Sequence, residues 1–451
     1  MREKQSQKYY LKTFGCQSNL ADSNRIRWIL ESCGYQNTVQ ENGADLIVYN
    51  TCSVRESAEN RVFGRNKILK KIKEKNPRLK TILTGCMTHY PKNILKNRLP
   101  YIDYFLPIKD IASLPEKIGS PLKIAVEEYL SIPPKTDSSF RALIPISYGC
   151  NNFCSYCVVP FARGREYSRS AKEILAEAKK AVKNGAKEIW LLGQNVNSYG
   201  ITEKTSWEGK TKTGAKPKIK KGCATFADLL RAVNKIPGNF WIRFTSAHPK
   251  DFSNDLIKAM AKCEKFPKYL NLPAQSGDDE VLKRMNRGYT RKHFIKLIEK
   301  IRRRVPEIAV STDTIVGFCG ETEKEFSNTL KLYRELKFDM AFIAEYSPRP
   351  NTASALALKD SVTHQKKETR RKKLTEILKK TAAENSEKLR GKILLILVDE
   401  EKNSRFFGKS PQNKTVEIVN PHTFRKGAGI GDFVKVKIVG ISPWLLKGEL
   451  I

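Results

Sequence analysis

Cys150, Cys154 and Cys157 lie in the stretch ISYGCNNFCSYCVVP, so three thiols stand at C-x3-C-x2-C spacing directly after a β-type run. Three thiolates on one short loop are metal-ligand chemistry. Tetrahedral zinc sites take four ligands, and no nearby fourth Cys or His completes this set. A cubane [4Fe–4S] cluster held by three thiolates leaves one iron open to bind another molecule, and the spacing points to that use.

Cys16, Cys52 and Cys86 are far apart in sequence, yet each ends a β-type run: YYLKTFGC, LIVYNTC and TILTGC. In a parallel sheet such ends share one edge, where the ligands of open α/β sheets gather. The recurrence predicts a second three-thiolate cluster, although any one of these cysteines alone would read as core packing. Cys33, Cys223, Cys263 and Cys319 show no ligand spacing and are expected to be packing or surface residues. The histidines, among them His89, His248 and His364, are scattered, and no Ser–His–Asp or paired-carboxylate pattern presents itself.

Other elements must bring these residues together. Early in the chain YYLKTF (9–14), a helix from about Asn19 to Glu31, LIVYN (46–50), a helix near 55–75 and TILTG (81–85) alternate, which predicts a parallel sheet with covering helices. SIPPKTDSS (131–139) reads as a linker. Six β-type runs follow: ALIPIS (142–147), KEIWLLG (187–193), FWIRFTS (240–246), YLNLP (269–273), AVSTDTIVG (309–317) and MAFIAEYS (340–347). With the helical stretches between them they fit a partial (βα)6 barrel with chemistry at the carboxyl ends of its strands. An open doubly wound sheet has the same one-dimensional pattern. The lysine-rich segment at 200–222 reads as an exposed loop. After a charged helical stretch from about Asp360 to Arg390, KILLILVDE (392–400), RFFGKS, TVEIV and DFVKVKIVG (432–440) predict a small antiparallel β-barrel. The expected fold class is α/β: an N-terminal parallel α/β domain, a central partial barrel and the C-terminal small barrel.

Across 451 residues, 83 Lys plus Arg stand against 47 Asp plus Glu, a formal net charge of +36. A polyanion partner follows from counterion release, though charge alone does not separate RNA, DNA and an anionic membrane surface. Phe406 and Phe407 on a basic barrel suit single-stranded RNA, whose unstacked bases lie on aromatic rings; core packing is the alternative for the pair. No apolar run approaches the ~20 residues of a membrane span, and the opening residues lack the apolar stretch of a secretory signal, so a cytoplasmic protein with reduced cysteines is expected.

At NTCSVRE (50–56), TGCM (84–87), GCNNFCSYCVVPFARGRE (149–166), GQNVNSYG (193–200), MNRGYTR (285–291) and YSPRP (346–350), the sequence resembles the MiaB-type tRNA methylthiotransferases of the radical S-adenosylmethionine superfamily. The resemblance implies a methylthiotransferase domain at 7–123, a radical core at 136–375 and a TRAM RNA-binding domain at 386–449. By that resemblance Cys150, Cys154 and Cys157 hold the radical-generating [4Fe–4S] cluster, and Cys16, Cys52 and Cys86 hold an auxiliary [4Fe–4S] cluster that delivers sulfur. S-adenosylmethionine is the second cofactor, with Gln194, Gln275 and Ser276 as expected contacts. The reaction implied is methylthiolation at C2 of N6-isopentenyladenosine at position 37 of tRNA. A related branch prefers threonylcarbamoylated adenosine, another modifies a ribosomal protein, and a non-catalytic iron–sulfur or zinc protein that binds RNA is the reading from another class. The expected partners are the anticodon stem-loop of tRNA and an electron donor such as flavodoxin or ferredoxin, with no membrane and a monomeric chain. Arg163 and Arg165 are read as contacts to phosphate or cofactor, or as surface arginines.

Three positions depart from the family pattern. Asn271 stands where histidine is usual in HLP-x-QSG, Cys319 replaces the proline of GFPGE, and Asn351 follows YSPRP where glycine is commoner. These changes touch local loop geometry and leave all six cluster cysteines in place.

Overall fold

The structure, a computed structural model, describes residues 7–53, 56–126, 129–135, 140–200, 224–419 and 429–451. Apart from Gly200 the predicted lysine-rich loop lies outside these residues, as do Cys223 and positions 136–139 of the predicted linker. The chain divides into two compact units, one of Met1–Asp137, Tyr148–Tyr167 and Arg349–Thr352, the other of Ser138–Ser147, Ser168–Pro348 and Ala353–Ile451.

The first unit is built on five parallel strands: β1 (Lys8–Phe14), β2 (Gln36–Asn37), β3 (Leu46–Thr51), β4 (Lys80–Gly85) and β5 (Tyr104–Leu106), in the order β2-β1-β3-β4-β5. A central parallel strand is covered on both faces and must be apolar along its length. β3, LIVYNT, is buried throughout. Its Leu46 and Val48 pack with Tyr9, Ile26 and Ile82 on one face, and Ile47 and Tyr49 with Leu69, Leu83 and Met87 on the other. The covering helices are α1 (Gln17–Ser32), α2 (Glu56–Phe63), α3 (Asn66–Lys75), α4 (Lys92–Arg98) and α5 (Leu114–Ile118). The single helix expected near 55–75 is two, with the break at Gly64 and Arg65. Glycine is the poorest helix former after proline, which accounts for the interruption. The segment Tyr148–Tyr167, which carries the C-x3-C-x2-C loop and α6 (Val159–Arg163), folds with this unit. The two-residue strands β7 (Ser147–Tyr148) and β8 (Tyr167–Ser168) border it, after β6 (Arg141–Pro145).

In the second unit β6, β9 (Glu188–Leu192) and β10 (Trp241–Phe244) form one parallel sheet in that order, and β11 (Tyr269–Asn271), β12 (Ala309–Val316) and β13 (Met340–Glu345) form another. Strand order follows chain order in both. A doubly wound sheet reverses its order at a switch point, so the arrangement is the partial (βα)6 barrel. The helices α7 (Ala171–Lys183), α8 (Phe226–Asn234), α9 (Asn254–Lys262), α10 (Asp279–Arg284), α11 (Arg291–Arg304) and α12 (Glu323–Leu336) alternate with the strands. Each starts at a polar cap, Ser170, Thr225, Ser253, Asp278, Thr290 and Thr322, whose side chain accepts a first-turn backbone N–H. Such caps satisfy donors that a helix leaves without intrahelical partners. α13 (Ala353–Ala357) and the charged α14 (His364–Glu387) follow.

The C-terminal part is a closed five-stranded barrel of β14 (Ile393–Lys402), β15 (Arg405–Lys409), β16 (Thr415–Val419), β17 (Phe433–Ile441) and β18 (Leu445–Leu450), ordered β14-β15-β16-β18-β17. Two features differ from expectation. LLKGEL at 445–450 is a fifth strand, and it pairs parallel with β16, so the barrel is mixed rather than wholly antiparallel. Closure requires a strand between β16 and β17, since full closure is what removes unpaired edges. Phe406 packs against the barrel core of Ile396, Val416 and Ile438. Phe407 instead lines a cavity of 370 Å³ with Lys402, Asn403 and Arg405. Among the described residues no helix is long and apolar enough to cross a membrane.

Candidate functional site

β1, β3 and β4 are neighbours in parallel register, with Phe14 opposite Thr51 and Thr51 opposite Gly85. Cys16, Cys52 and Cys86 follow these strands within two residues and emerge on one edge. Cys52 hydrogen-bonds to Cys16 through its side chain, and its backbone N–H donates to the Phe14 carbonyl at 2.8 Å. That hydrogen bond pushes the Cys16 thiol down to about 5, and the charge of Arg163 acts in the same direction against desolvation. Burial raises the Cys86 thiol, and the neighbouring Cys16 adds to the rise. The thiolate is the metal-binding form, so a lowered thiol is a ready ligand.

A buried amide and hydroxyl network holds this edge. Asn19 Nδ2 donates to Asn50 Oδ1 at 3.2 Å and to the Thr51 carbonyl at 3.1 Å, while Asn50 Nδ2 donates to the Asn19 carbonyl at 2.7 Å. Asn19 Oδ1 accepts from the Cys16 backbone N–H at 3.2 Å. Thr51 Oγ1 donates to the Thr84 carbonyl at 2.6 Å. Gly85 turns the chain into Cys86 with φ +87°, and a Cβ there would stand 2.4 Å from the Thr51 carbonyl oxygen. Only glycine fits both demands.

The C-x3-C-x2-C loop is shaped in the same manner. Gly149, before Cys150, has φ +72°, and a Cβ would lie 2.0 Å from the Arg165 carbonyl oxygen. The Cys150 N–H donates to the Gly164 carbonyl at 3.2 Å, and the Cys157 N–H to the Cys154 carbonyl at 2.9 Å. Cys150 is buried, Cys154 and Cys157 half-buried. The two arginines behind the loop part company. Arg165 is exposed and lies over the Phe153 ring, 4.4 Å from its centroid, whereas Arg163 is buried and pairs with Asp22 of α1 at 2.6 Å. The surface reading therefore fails for Arg163.

Arg349–Thr352 also joins this unit. Arg349 lies 3.5 Å from the buried Glu59, which accepts from Tyr90 at 3.2 Å and from Ser53. Asn351 has φ +66°, which explains why glycine is commoner there and why asparagine is accepted. Its Nδ2 donates to the His89 carbonyl at 3.4 Å.

In the second unit Gln194 follows β9 and Gln275 follows β11, both half-buried at strand carboxyl ends. The Gln275 N–H donates to the Asp313 carbonyl at 2.8 Å, and its own carbonyl accepts from Ile315 at 3.0 Å. Ser276 is enclosed: its hydroxyl accepts the Asp278 N–H at 3.2 Å and lies 3.4 Å from Thr329 Oγ1. Asn271 Nδ2 donates to Ser311 Oγ at 3.1 Å and to Asp313 Oδ2 at 3.0 Å, and its Oδ1 accepts from Thr245 at 3.3 Å. Cys319 is buried. Cys263 packs in the barrel core, and Cys33 is half-buried beside the first unit's core.

Among the described residues no set of three Cys, His or acidic side chains closes into a single-ion site. Sequence reasoning missed Asp22, Asn19 and Asn50. The wording NTC, with amide and hydroxyl directly before Cys52, was the one available signal.

Fold and site together define a radical S-adenosylmethionine protein with a C-terminal TRAM domain. The radical SAM superfamily profile matches residues 144–333, the TRAM domain profile residues 387–451, and that of the uncharacterized protein family UPF0004 residues 8–107. The chain belongs to the family of tRNA-2-methylthio-N(6)-dimethylallyladenosine synthases. It is 39% identical to the protein of that name from Clostridium botulinum (strain Langeland) over 458 residues, covering 98% of this chain and 97% of the other. It is also 39% identical to that of Thermoanaerobacter sp. (strain X514), covering 98% and 92%. Among solved structures it is similar in fold to the radical S-adenosylmethionine methyltransferase TsrM from Kitasatospora setae, with TM-score 0.54 and 15% identity over 78% of this chain and 75% of the other.

Proposed function

We propose that this protein methylthiolates C2 of N6-isopentenyladenosine at position 37 of tRNA, with two [4Fe–4S] clusters and S-adenosylmethionine as cofactors. The observation that carries the reading is the convergence of Cys16, Cys52 and Cys86 at adjacent strand ends, in the unit that also contains the C-x3-C-x2-C loop. The donor set fits clusters better than one ion: a lone metal needs all its thiolates on one centre, while a cluster takes them on separate irons.

Cys16, Cys52 and Cys86 would hold the auxiliary cluster, and Cys150, Cys154 and Cys157 the radical-generating one. When bound, these groups and S-adenosylmethionine supply the radical and the sulfur, chemistry that no side chain performs. The chain's own part is placement. Gly85 and Gly149 admit the turns that present the cysteines, and the Asn19–Asn50–Thr51 network holds the auxiliary edge. Gln194, Gln275 and Ser276 are proposed for S-adenosylmethionine; the enclosed Ser276 would serve through the turn it shapes. Phe407 with Lys402 and Arg405 offers a ring and two cations to an unpaired nucleotide. The reading includes a cytoplasmic monomer, the anticodon stem-loop as the part of tRNA engaged, a flavodoxin- or ferredoxin-type electron donor, and domains at 7–123, 136–375 and 386–449.

The test is anaerobic incubation of reconstituted protein with S-adenosylmethionine, sulfide, reductant and tRNA bearing either isopentenylated or threonylcarbamoylated adenosine, followed by mass spectrometry of the nucleosides. A methylthio product from the isopentenylated tRNA alone is expected. Product from the other tRNA alone would overturn the substrate assignment, and product from neither would overturn the reaction.

A further inference from the structure

Arg163 ends α6, six residues beyond Cys157 in sequence, and its side chain is 3% exposed. Its Nη2 donates to Asp22 Oδ2 at 2.6 Å, and its Nη1 lies 3.4 Å from the Tyr129 hydroxyl, which itself donates to Asp22 Oδ1 at 3.4 Å. The helix it ends, α6, packs against the turn Cys86–His89 that carries Cys86. Asp22 stands on α1, which opens immediately after Cys16. A buried guanidinium costs several kcal/mol unless its charge and its donors are met. Asp22 offsets the charge once, and the pair stands between the helix that follows Cys16 and the turn that carries Cys86.

We propose that Arg163 is a positioning residue for the cluster on Cys16, Cys52 and Cys86: carried by the segment of the other cysteine set, it anchors Cys86 and offsets negative charge on the auxiliary cluster. The inference rests on the assignment of those three cysteines made above. Two consequences separate it from a strut that merely fills space. A fixed positive charge beside a cluster favours the reduced, more negative state, so its removal lowers the reduction potential. Neutralising Asp22 leaves that positive charge less compensated and raises it.

The experiment uses the full chain with Cys150, Cys154 and Cys157 changed to Ala, so that only the auxiliary cluster is reconstituted. Iron and sulfide per chain and the midpoint potential from an EPR-monitored titration are measured with and without Arg163→Gln, Arg163→Lys or Asp22→Asn. The expected result is a lower potential for Arg163→Gln, a higher one for Asp22→Asn, and a value near the parent for Arg163→Lys. In the intact cysteine background Arg163→Gln should lose methylthiolation by about 10- to 100-fold, the usual cost of removing a group that orients metal ligands. Unmoved potentials in Arg163→Gln and Asp22→Asn at parental iron content would overturn the proposal. Should Arg163→Gln fail to fold, Asp22→Asn beside Arg163→Lys decides it by the same criterion. A parent that takes up no iron would instead overturn the cysteine assignment itself, and the proposal with it.

Discussion

Glu188 and Arg243 form an ion pair inside the partial barrel, Oε1 to Nε 2.6 Å, with each side chain 1% exposed. Glu188 opens β9 and Arg243 is the third residue of β10, and the pair is extended by Arg141 Nε at 2.6 Å and Trp190 Nε1 at 2.8 Å from Glu188 Oε2. Arg243 Nη2 donates to the Ser410 carbonyl at 3.0 Å, Arg141 lies 3.3 Å from Asp399, and Trp241 meets Phe433 edge to face at 4.9 Å. The amino-terminal floor of the barrel and the C-terminal barrel thus share one buried polar cluster. Against burial, which raises it, Arg243 and Arg141 hold the Glu188 carboxyl below the usual range.

Removing one member leaves the other charge buried without its counterpart. Glu188→Leu is expected to destabilise the second unit by about 3–5 kcal/mol, and the double change Glu188→Leu with Arg243→Leu by less than the single one. Urea unfolding followed by tryptophan fluorescence measures both. A single-variant loss below about 1 kcal/mol, the range of an exposed pair, would contradict the assigned role.

His248 follows β10, is 5% exposed, and accepts the Lys250 N–H on Nδ1 at 3.2 Å. Burial, with Arg287 and Lys250 nearby, pushes its imidazole down to about 2. The unfolded chain protonates this histidine near pH 6.5, so between those values only the unfolded state binds the proton, and stability falls as pH is lowered. About 1.4 kcal/mol per pH unit is expected from this group below pH ~6.5. His248→Asn should flatten the slope of the urea midpoint between about pH 7 and pH 5; an unchanged slope would show that the ring does not stay neutral.

Gly85→Ala and Gly149→Ala should each cost one cluster and spare the other, because each added Cβ meets a carbonyl oxygen at 2.4 Å or 2.0 Å beside one cysteine. Iron per chain after reconstitution is expected to fall by roughly half in either variant, since metal sites depend on ligand geometry. Full iron loading in both would show that the turns before Cys86 and Cys150 are not needed to present the thiols.

Asn271→Leu removes a bridge that satisfies Ser311, Asp313 and Thr245 at once. A loss of about 1–3 kcal/mol is expected from the polar groups left without it. Asn271→His restores the commoner family residue and should lose less, as an imidazole keeps one donor and one acceptor. Equal unfolding midpoints for Asn271→Leu and the unchanged chain would remove Asn271 from the network's support.

Much was legible in the sequence because much of it is local. The apolar runs at 9–14, 46–50 and 81–85 became neighbouring parallel strands, and the six runs from 142 to 347 became barrel strands within a residue or two of their predicted ends. The fifth barrel strand at 445–450 was not legible, because LLKGEL is short and owes its place to closure with β16 and β17.

The sequence by itself determined the cysteine sets, the parallel α/β and small-barrel elements and the basic charge, because residue type, spacing and period are properties of a short stretch of chain. Only the tertiary structure decided that Tyr148–Tyr167 and Arg349–Thr352 fold with the first unit, that Arg163 is buried against Asp22 while Arg165 lies exposed on Phe153, and that strand order follows chain order in the two sheets of the partial barrel. Those outcomes depend on which distant surfaces exclude water together and which buried charges find partners, and neither is written in the neighbours of any one residue.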